Sequence, residues 1–289
     1  MKASEIERVG VLGCGLMGSG IAEVCARRGR QVVVVEIDAA AVERGRAKVE
    51  RSLETAAARS KITTDERDLA LSALSFTADW DAFADCDLVV EAVSEDPTLK
   101  DAAFRRLDAT VKGAEAVLAS NTSSIPIMKL AIATSRPENV VGLHFFNPVP
   151  VLPLVELVPS LLTSEDTIVT VGEFAQGVLG KNVIRSQDRA GFVVNALLIP
   201  YLLSAIRMFE SGFATAEDID AGMVHGCAHP MGPLALADLI GLDTTMAVAL
   251  SMYAEFKEPL YAPPPLLSRM CEAGLLGRKS GRGFYGYQK

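Results

Sequence analysis

Three glycines, spaced Gly13-Cys14-Gly15-Leu16-Met17-Gly18, limit what this chain can fold into more than any other feature. They follow a short apolar run, Val9-Gly10-Val11-Leu12. They open a segment, Gly15 to Arg28, in which Met17, Ile21, Val24 and Cys25 share one face of a predicted helix. The next apolar run, Val32-Val33-Val34-Val35 within Gln31 to Ile37, is continuous and β-branched, as in a strand covered on both faces. Asp38 then suits the N-cap of a long helix reaching to about Arg59. Strand, helix, strand and helix in succession predict a right-handed parallel βαβ unit.

In that setting each glycine has a physical use. Gly13 makes a tight turn, Gly15 lets backbone approach a pyrophosphate, and Gly18 lets the helix close on the strand. The helix N-terminus, with Leu16 and Met17 in its first turn, offers free amides and a positive dipole end to phosphates. Glu36 ends the second strand, where an acid accepts both hydroxyls of an adenosine ribose and repels a 2′-phosphate. The expected cofactor is therefore NAD rather than NADP. The plainer alternative is a strand–helix turn with a solvated Glu36, and Asp38 is a substitute ribose partner.

The alternation continues with predicted strands at Leu88–Val90, Ala116–Ala119, Val140–Phe145, Leu154–Val158 and Asn182–Arg185. Helices are predicted at Pro97–Val111, Ile125–Thr134 and Glu165–Leu179. From Phe192 onward the pattern turns helical, over Phe192–Glu210, Ala216–Val224 and Thr244–Phe256. The expected fold is α/β: an N-terminal, doubly wound Rossmann domain over residues 1–186, followed by an all-α C-terminal domain over 187–289. The boundary falls in the polar stretch Gln187 to Gly191.

Composition narrows the setting. Lys and Arg number 28 against 36 Asp and Glu, a net charge of -8 with no basic run, which gives no footprint for nucleic acid or an anionic membrane. The segment Met1 to Arg8 is polar and does not read as a signal peptide. The longest apolar stretch, Phe192 to Met208, carries Asn195 and Pro200 and is short for a membrane span. Five scattered cysteines without a CxxC suit a reducing cytoplasm, the expected location.

His144 stands at the end of a predicted strand, in Gly142-Leu143-His144-Phe145-Phe146-Asn147-Pro148, where open α/β sheets bind ligands. Glu156 lies in Val155-Glu156-Leu157-Val158, and a carboxylate among such residues is costly unless paired. A histidine is the obvious partner. Such a pair suits alcohol oxidation: the imidazole takes the hydroxyl proton while the carboxylate orients the ring and stabilises its cation. A structural histidine in the core remains open on periodicity alone. His225-Gly226-Cys227-Ala228-His229 brings two imidazoles and a thiol close in sequence, but no further ligand lies nearby, and no metal is expected.

Ser120-Asn121-Thr122-Ser123-Ser124, His144-Phe145-Phe146-Asn147-Pro148 and Gly277-Arg278-Lys279-Ser280-Gly281-Arg282-Gly283-Phe284-Tyr285 resemble the signatures of the 3-hydroxyacyl-CoA dehydrogenase family. The resemblance covers essentially the whole chain and is closest to the short, single-function bacterial members. It implies reversible, NAD-dependent oxidation of an (S)-3-hydroxyacyl-CoA to a 3-oxoacyl-CoA. The expected pair is 3-hydroxybutyryl-CoA and acetoacetyl-CoA. It also implies a homodimer formed through the C-terminal domain.

By this resemblance His144 is the catalytic base and Glu156 its orienting carboxylate. Ser123 contacts the substrate hydroxyl and the nicotinamide side, and Asn195 positions the substrate. Glu95, Lys100 and Asn147 match cofactor contacts, and Ser52 matches a coenzyme A contact. The basic coenzyme A contact is blurred between Arg59 and Lys61, where the sequence departs from the pattern. Each residue also has a structural use: Ser123 as a cap, Asn147 as a turn initiator, Asn195 as a partner for backbone groups, Lys100 as a solvated helical charge. Two rival functions stay open, oxidation of a free hydroxy acid such as L-gulonate and a non-enzymatic NAD-binding role.

Overall fold

The computed structural model describes residues 1–287, and the chain divides into two compact units, Met1–Asp188 and a second beginning at Arg189. In the first unit, strands β1 (Arg8–Leu12), β2 (Gln31–Val35), β3 (Leu74–Thr77), β4 (Leu88–Glu91), β5 (Val117–Ser120), β6 (Val140–Phe145), β7 (Leu154–Pro159) and β8 (Asn182–Arg185) form one sheet. Their order is β3-β2-β1-β4-β5-β6-β7-β8. The first six are parallel, β7 is antiparallel to β6, and β8 is parallel to β7. The order reverses between β1 and β4, and the crevice at such a switch point is where doubly wound sheets take ligands.

The helices follow from local signals. α1 (Leu16–Arg27) begins at Gly15, and α2 (Ala39–Ala58) is capped by Asp38, whose carboxylate accepts the Ala41 amide at 2.7 Å. Asp38 is thus occupied as a cap. α3 (Thr64–Ser72) starts with a capping box between Thr63 and Glu66, and α4 (Pro97–Thr110) starts under Asp96 with proline in its first turn. α5, Ile127–Ala131, is shorter than predicted at both ends, and at its start the extended Pro126 keeps Ile125 out of the helix. α6 (Glu165–Glu173) passes into a π-helical turn over Phe174–Val178 in place of the continuous helix expected. The core runs along both faces of the sheet, with Val9, Val11, Leu88, Leu118 and Leu143 each at most 2% exposed.

The second unit is helical, with α7 (Val194–Glu210), α8 (Ala216–Cys227), α9 (Pro233–Ile240), α10 (Leu242–Phe256) and α11 (Pro265–Glu272). The closing glycine-rich motif folds back as isolated bridges, Gly277 to Arg282 and Arg282 to Gly286. Two buried aspartates hold it. Asp238, 0% exposed, accepts the amides of Phe284 and Tyr285 and the Tyr287 hydroxyl, each at 3.0 Å. Asp220 accepts the Tyr285 hydroxyl at 2.9 Å and the amides of Leu234 and Ala235 at the start of α9. A side chain at position 283 would begin 1.9 Å from Asp238 Oδ1, so only glycine fits there. Among the described residues no single helix is long and apolar enough to cross a membrane.

Candidate active site

The glycine turn joins β1 to α1 at the switch point. Gly13 has φ +88°, a conformation that strains any other residue, and a Cβ on Gly18 would lie 1.8 Å from the Gly13 carbonyl oxygen. A Cβ on Gly15, by contrast, would meet nothing within 4 Å. Gly15 caps α1 without a side chain, so the first-turn amides face this open space. These residues fit the pyrophosphate of a dinucleotide. Glu36 reaches back to the same turn: Oε1 accepts the Cys14 amide at 2.5 Å and Oε2 accepts the Ile37 amide at 3.1 Å. It is therefore an anchored carboxylate rather than a solvated one.

The acid–base pair is a product of strand register. β6 and β7 run antiparallel with His144 directly opposite Glu156, so the two side chains share one face of the sheet. Glu156 is 0% exposed and His144 6%. His144 Nδ1 lies 2.7 Å from Glu156 Oε2. A carboxylate at this depth favours the Nδ1–H tautomer, which makes Nε2 the basic nitrogen of the ring. The loop that follows β6 packs on α1, where a Cβ on Gly20 would touch Val149 at 2.8 Å. Lys181 ties that loop down by donating to the carbonyls of Val149 and Leu152, at 2.5 and 2.8 Å.

A second polar cluster joins the ends of β4 and β5. Glu91, the last residue of β4, is 0% exposed and pairs with Lys100 at 2.6 Å. Lys100 is 1% exposed, so it is not the solvated helical charge that its sequence position allowed. Glu95 gathers the serine-rich loop on Oε1, from the Thr122 hydroxyl at 2.5 Å and the amides of Ser123 and Ser124 at 3.1 and 3.2 Å. Burial opposes its charge, but Lys100 and the donors of Thr122, Ser124 and Ser123 outweigh it and hold the carboxyl below the usual carboxylate range. Thr122, not Ser123, does the local capping: its oxygen accepts the amides of Ser124 and Ile125. The half-buried Ser123 hydroxyl is left uncommitted among the described residues.

Of the remaining predicted site residues, Asn147, Ser52, Arg59 and Lys61 belong to the first unit and Asn195 to the second. Asn147 is exposed at a cis Asn147–Pro148 bond. Ser52 is exposed on α2, and Arg59 is the C-cap of the same helix, seven residues on and hence two turns along one face. Lys61 follows Ser60, whose positive φ ends the helical path. Asn195, half-buried, is the second residue of α7 in the other unit. His229 Nδ1 meets the Tyr201 hydroxyl at 3.1 Å, and no group of three or more His, Cys, Asp or Glu among the described residues could hold a metal ion. Sequence reasoning missed Glu91, although the argument applied to Glu156 covers it equally: a carboxylate closing the run Leu88-Val89-Val90 needs a partner. It also missed Asn121, whose Oδ1 accepts the Phe145 amide at 2.9 Å, one residue beyond His144.

Hydride transfer from an alcohol requires both a dinucleotide cradle and a proton acceptor at one sheet edge, and the class these define is the NAD-dependent oxidoreductases. Residues 8–189 match the model of the 3-hydroxyacyl-CoA dehydrogenase NAD-binding domain, and residues 191–287 match that of the C-terminal domain of the same enzymes. The chain belongs to the 3-hydroxyacyl-CoA dehydrogenase family. It is 60% identical, over 98% of its length and 99% of the relative's, to a 3-hydroxybutyryl-CoA dehydrogenase of Mycobacterium tuberculosis. A crystal structure of M. tuberculosis FadB2 superposes with a TM-score of 0.97 at 60% identity, covering 98% of this chain and 99% of that one. The (S)-3-hydroxybutyryl-CoA dehydrogenase of Ralstonia eutropha superposes at 0.93 with 45% identity, covering 99% and 100%.

Glu36 is the residue expected to set a preference for NAD over NADP. Glu36→Ala is expected to weaken NAD binding by about 1.5–3 kcal/mol, the range for a charge-assisted hydrogen bond, and to relax rejection of NADP. Steady-state kinetics with both cofactors check this. A wild-type preference for NADP, or an unchanged cofactor ratio in the variant, would contradict the assignment.

Proposed function

We propose that this protein interconverts (S)-3-hydroxyacyl-CoA and 3-oxoacyl-CoA, with 3-hydroxybutyryl-CoA and acetoacetyl-CoA as its preferred pair. The observation that carries this reading is the buried His144–Glu156 pair at 2.7 Å, built at the carboxyl edge of the NAD-binding sheet. The C4 preference rests on similarity to relatives of that name. When bound, NAD supplies the carbon that accepts the hydride leaving C3 of the substrate.

His144 does the proton chemistry. Hydride leaves C3 readily only if the hydroxyl proton leaves with it, so a base must lie within hydrogen-bond reach of that oxygen. With Nδ1 held by Glu156, Nε2 takes the proton on oxidation and returns it on reduction. Glu156 lies against the imidazolium that oxidation creates and stabilises it. Ser123 donates to the substrate oxygen from the loop that Glu95 shapes, and Asn195 orients the thioester. Glu95 and Asn147 line the cofactor side, and the buried Lys100 acts there through Glu95. Ser52 and Arg59 share a helix face suited to the coenzyme A nucleotide, which favours Arg59 over Lys61 for that contact. All five cysteines are free thiols, which supports a reducing, cytoplasmic setting. Exposed apolar side chains on the second unit, Leu197 at 74% and Phe213 at 79%, support a homodimer formed there.

Because the pair acts as one unit, its variants are expected to be non-additive. His144→Gln should lower kcat by roughly 10²–10⁴, the span for a positioned acid–base group, with NADH affinity near normal by fluorescence. Glu156→Gln should lower kcat and alter its pH profile, and the double variant should be little worse than His144→Gln. Near-wild-type turnover by His144→Gln would overturn the mechanism. For the nucleotide contact, Arg59→Ala should raise KM for acetoacetyl-CoA while changing a truncated pantetheine thioester less. Equal losses on both substrates would remove Arg59 from the coenzyme A site. Sedimentation of the full chain at micromolar concentration should show a dimer, and a monomer there would refute the assembly.

A further inference from the structure

Glu91 has no part in the proton chemistry, yet it is 0% exposed and every hydrogen bond of its side chain holds a different segment. Oε1 accepts the Lys100 ammonium of α4 at 2.6 Å and the Val93 amide of the following turn at 2.7 Å. Oε2 accepts the Ser120 hydroxyl at the end of β5, also at 2.6 Å. In register Glu91 stands between Leu12, which precedes the glycine turn, and Ser120. It therefore sits beside the switch point itself.

Two arms leave this carboxylate and meet at the same loop. Ser120 Oγ accepts the Thr122 amide at 3.1 Å. Lys100 reaches Glu95 Oε2 at 3.4 Å, and Glu95 gathers Thr122 and Ser123. The loop so held presents the Ser123 hydroxyl. The backbone extends the link: the Glu91 carbonyl accepts the Asn121 amide at 2.9 Å, and Asn121 in turn accepts the amide of Phe145, next to His144.

Stability alone does not call for such a pair, because apolar side chains of similar volume often serve a core as well or better. What an apolar pair cannot do is fix several donors in one geometry. We propose that Glu91 is a positioning residue, acting through Lys100 and Ser120 to hold the 93–95 turn and the 120–124 loop in the shape the reaction uses. The proposal rests on the dehydrogenase reading for its substrate, but not for its cofactor. Gln at this position keeps the volume but removes the charge that Lys100 pairs with, and its NH2 group fits only opposite the Ser120 hydroxyl, which must then turn from donor to acceptor.

The test compares E91Q and S120A with the wild-type full chain in three measurements: thermal midpoint, NADH affinity by fluorescence, and kcat and KM with acetoacetyl-CoA. E91Q is expected to bind NADH about 10- to 100-fold more weakly, the range for a hydrogen-bonded charge. Its kcat is expected to fall by up to about 10²-fold, as for a misplacement on the order of 1 Å. KM for acetoacetyl-CoA should hold. S120A, which cuts one arm and leaves the ion pair, should move kcat in the same direction by less. A role confined to folding would lower the midpoint and leave the kinetics of the folded protein unchanged, and that result in either variant overturns the proposal. NADH binding by a wild type that fails to turn over acetoacetyl-CoA would refute the substrate reading instead, and the NADH arm would still decide the role of Glu91.

Discussion

Burying a carboxylate without a partner is among the costliest things a fold can do. This sheet buries two at its carboxyl edge, Glu91 on β4 and Glu156 on β7, both with no exposure. Each is matched by a base at hydrogen-bond distance, Lys100 in one case and His144 in the other. Much of the surrounding structure follows from that need. The antiparallel turn back into β7 is what sets Glu156 opposite His144, because a parallel neighbour has no short return. The proline-started α4 is what carries Lys100 under the end of β4.

The sheet order then fixes the distance between binding and chemistry. β1 carries the glycine turn, and β4 and β5 separate it from β6, which carries His144. Three strand spacings amount to about 14 Å. The intervening edge is lined by the loop after β4 and the serine-rich loop after β5, cross-linked through Glu95. On the proposed reading, a dinucleotide held at Glu36 and the glycine turn would extend along this edge toward the base. The polar clusters that shape these loops are therefore part of the route rather than decoration of its ends.

Much of this was legible in the residues, and the gaps have physical causes. The continuous valines of β2 and the capping role of Asp38 were read correctly because both are local signals. β3, Leu-Ser-Phe-Thr, escaped because an edge strand of four residues, none of them buried, carries no continuous apolar run. α9 and α11 escaped because each is eight residues long and begins with proline, which reads as punctuation in sequence. The His144–Glu156 pairing was argued from the cost of a buried acid, but its cross-strand register was not, since the direction of β7 depends on long-range pairing. Glu91 was passed over although the same cost applied, because its partner is nine residues away on a helix that looked solvated.

Asp238 gives the second unit a property of a different kind. Its acceptors are filled by groups that arrive about 46 to 49 residues later in the chain, at Phe284, Tyr285 and Tyr287. During synthesis α9 therefore emerges with a carboxylate that its own neighbourhood does not satisfy. A chain interrupted before Phe284 keeps that charge with its intended site in an apolar core, and the helices around it have reason to stay loose. The stability of the helical unit is thus tied to its last residues, because without them a carboxylate at the centre of its core would lack its donors.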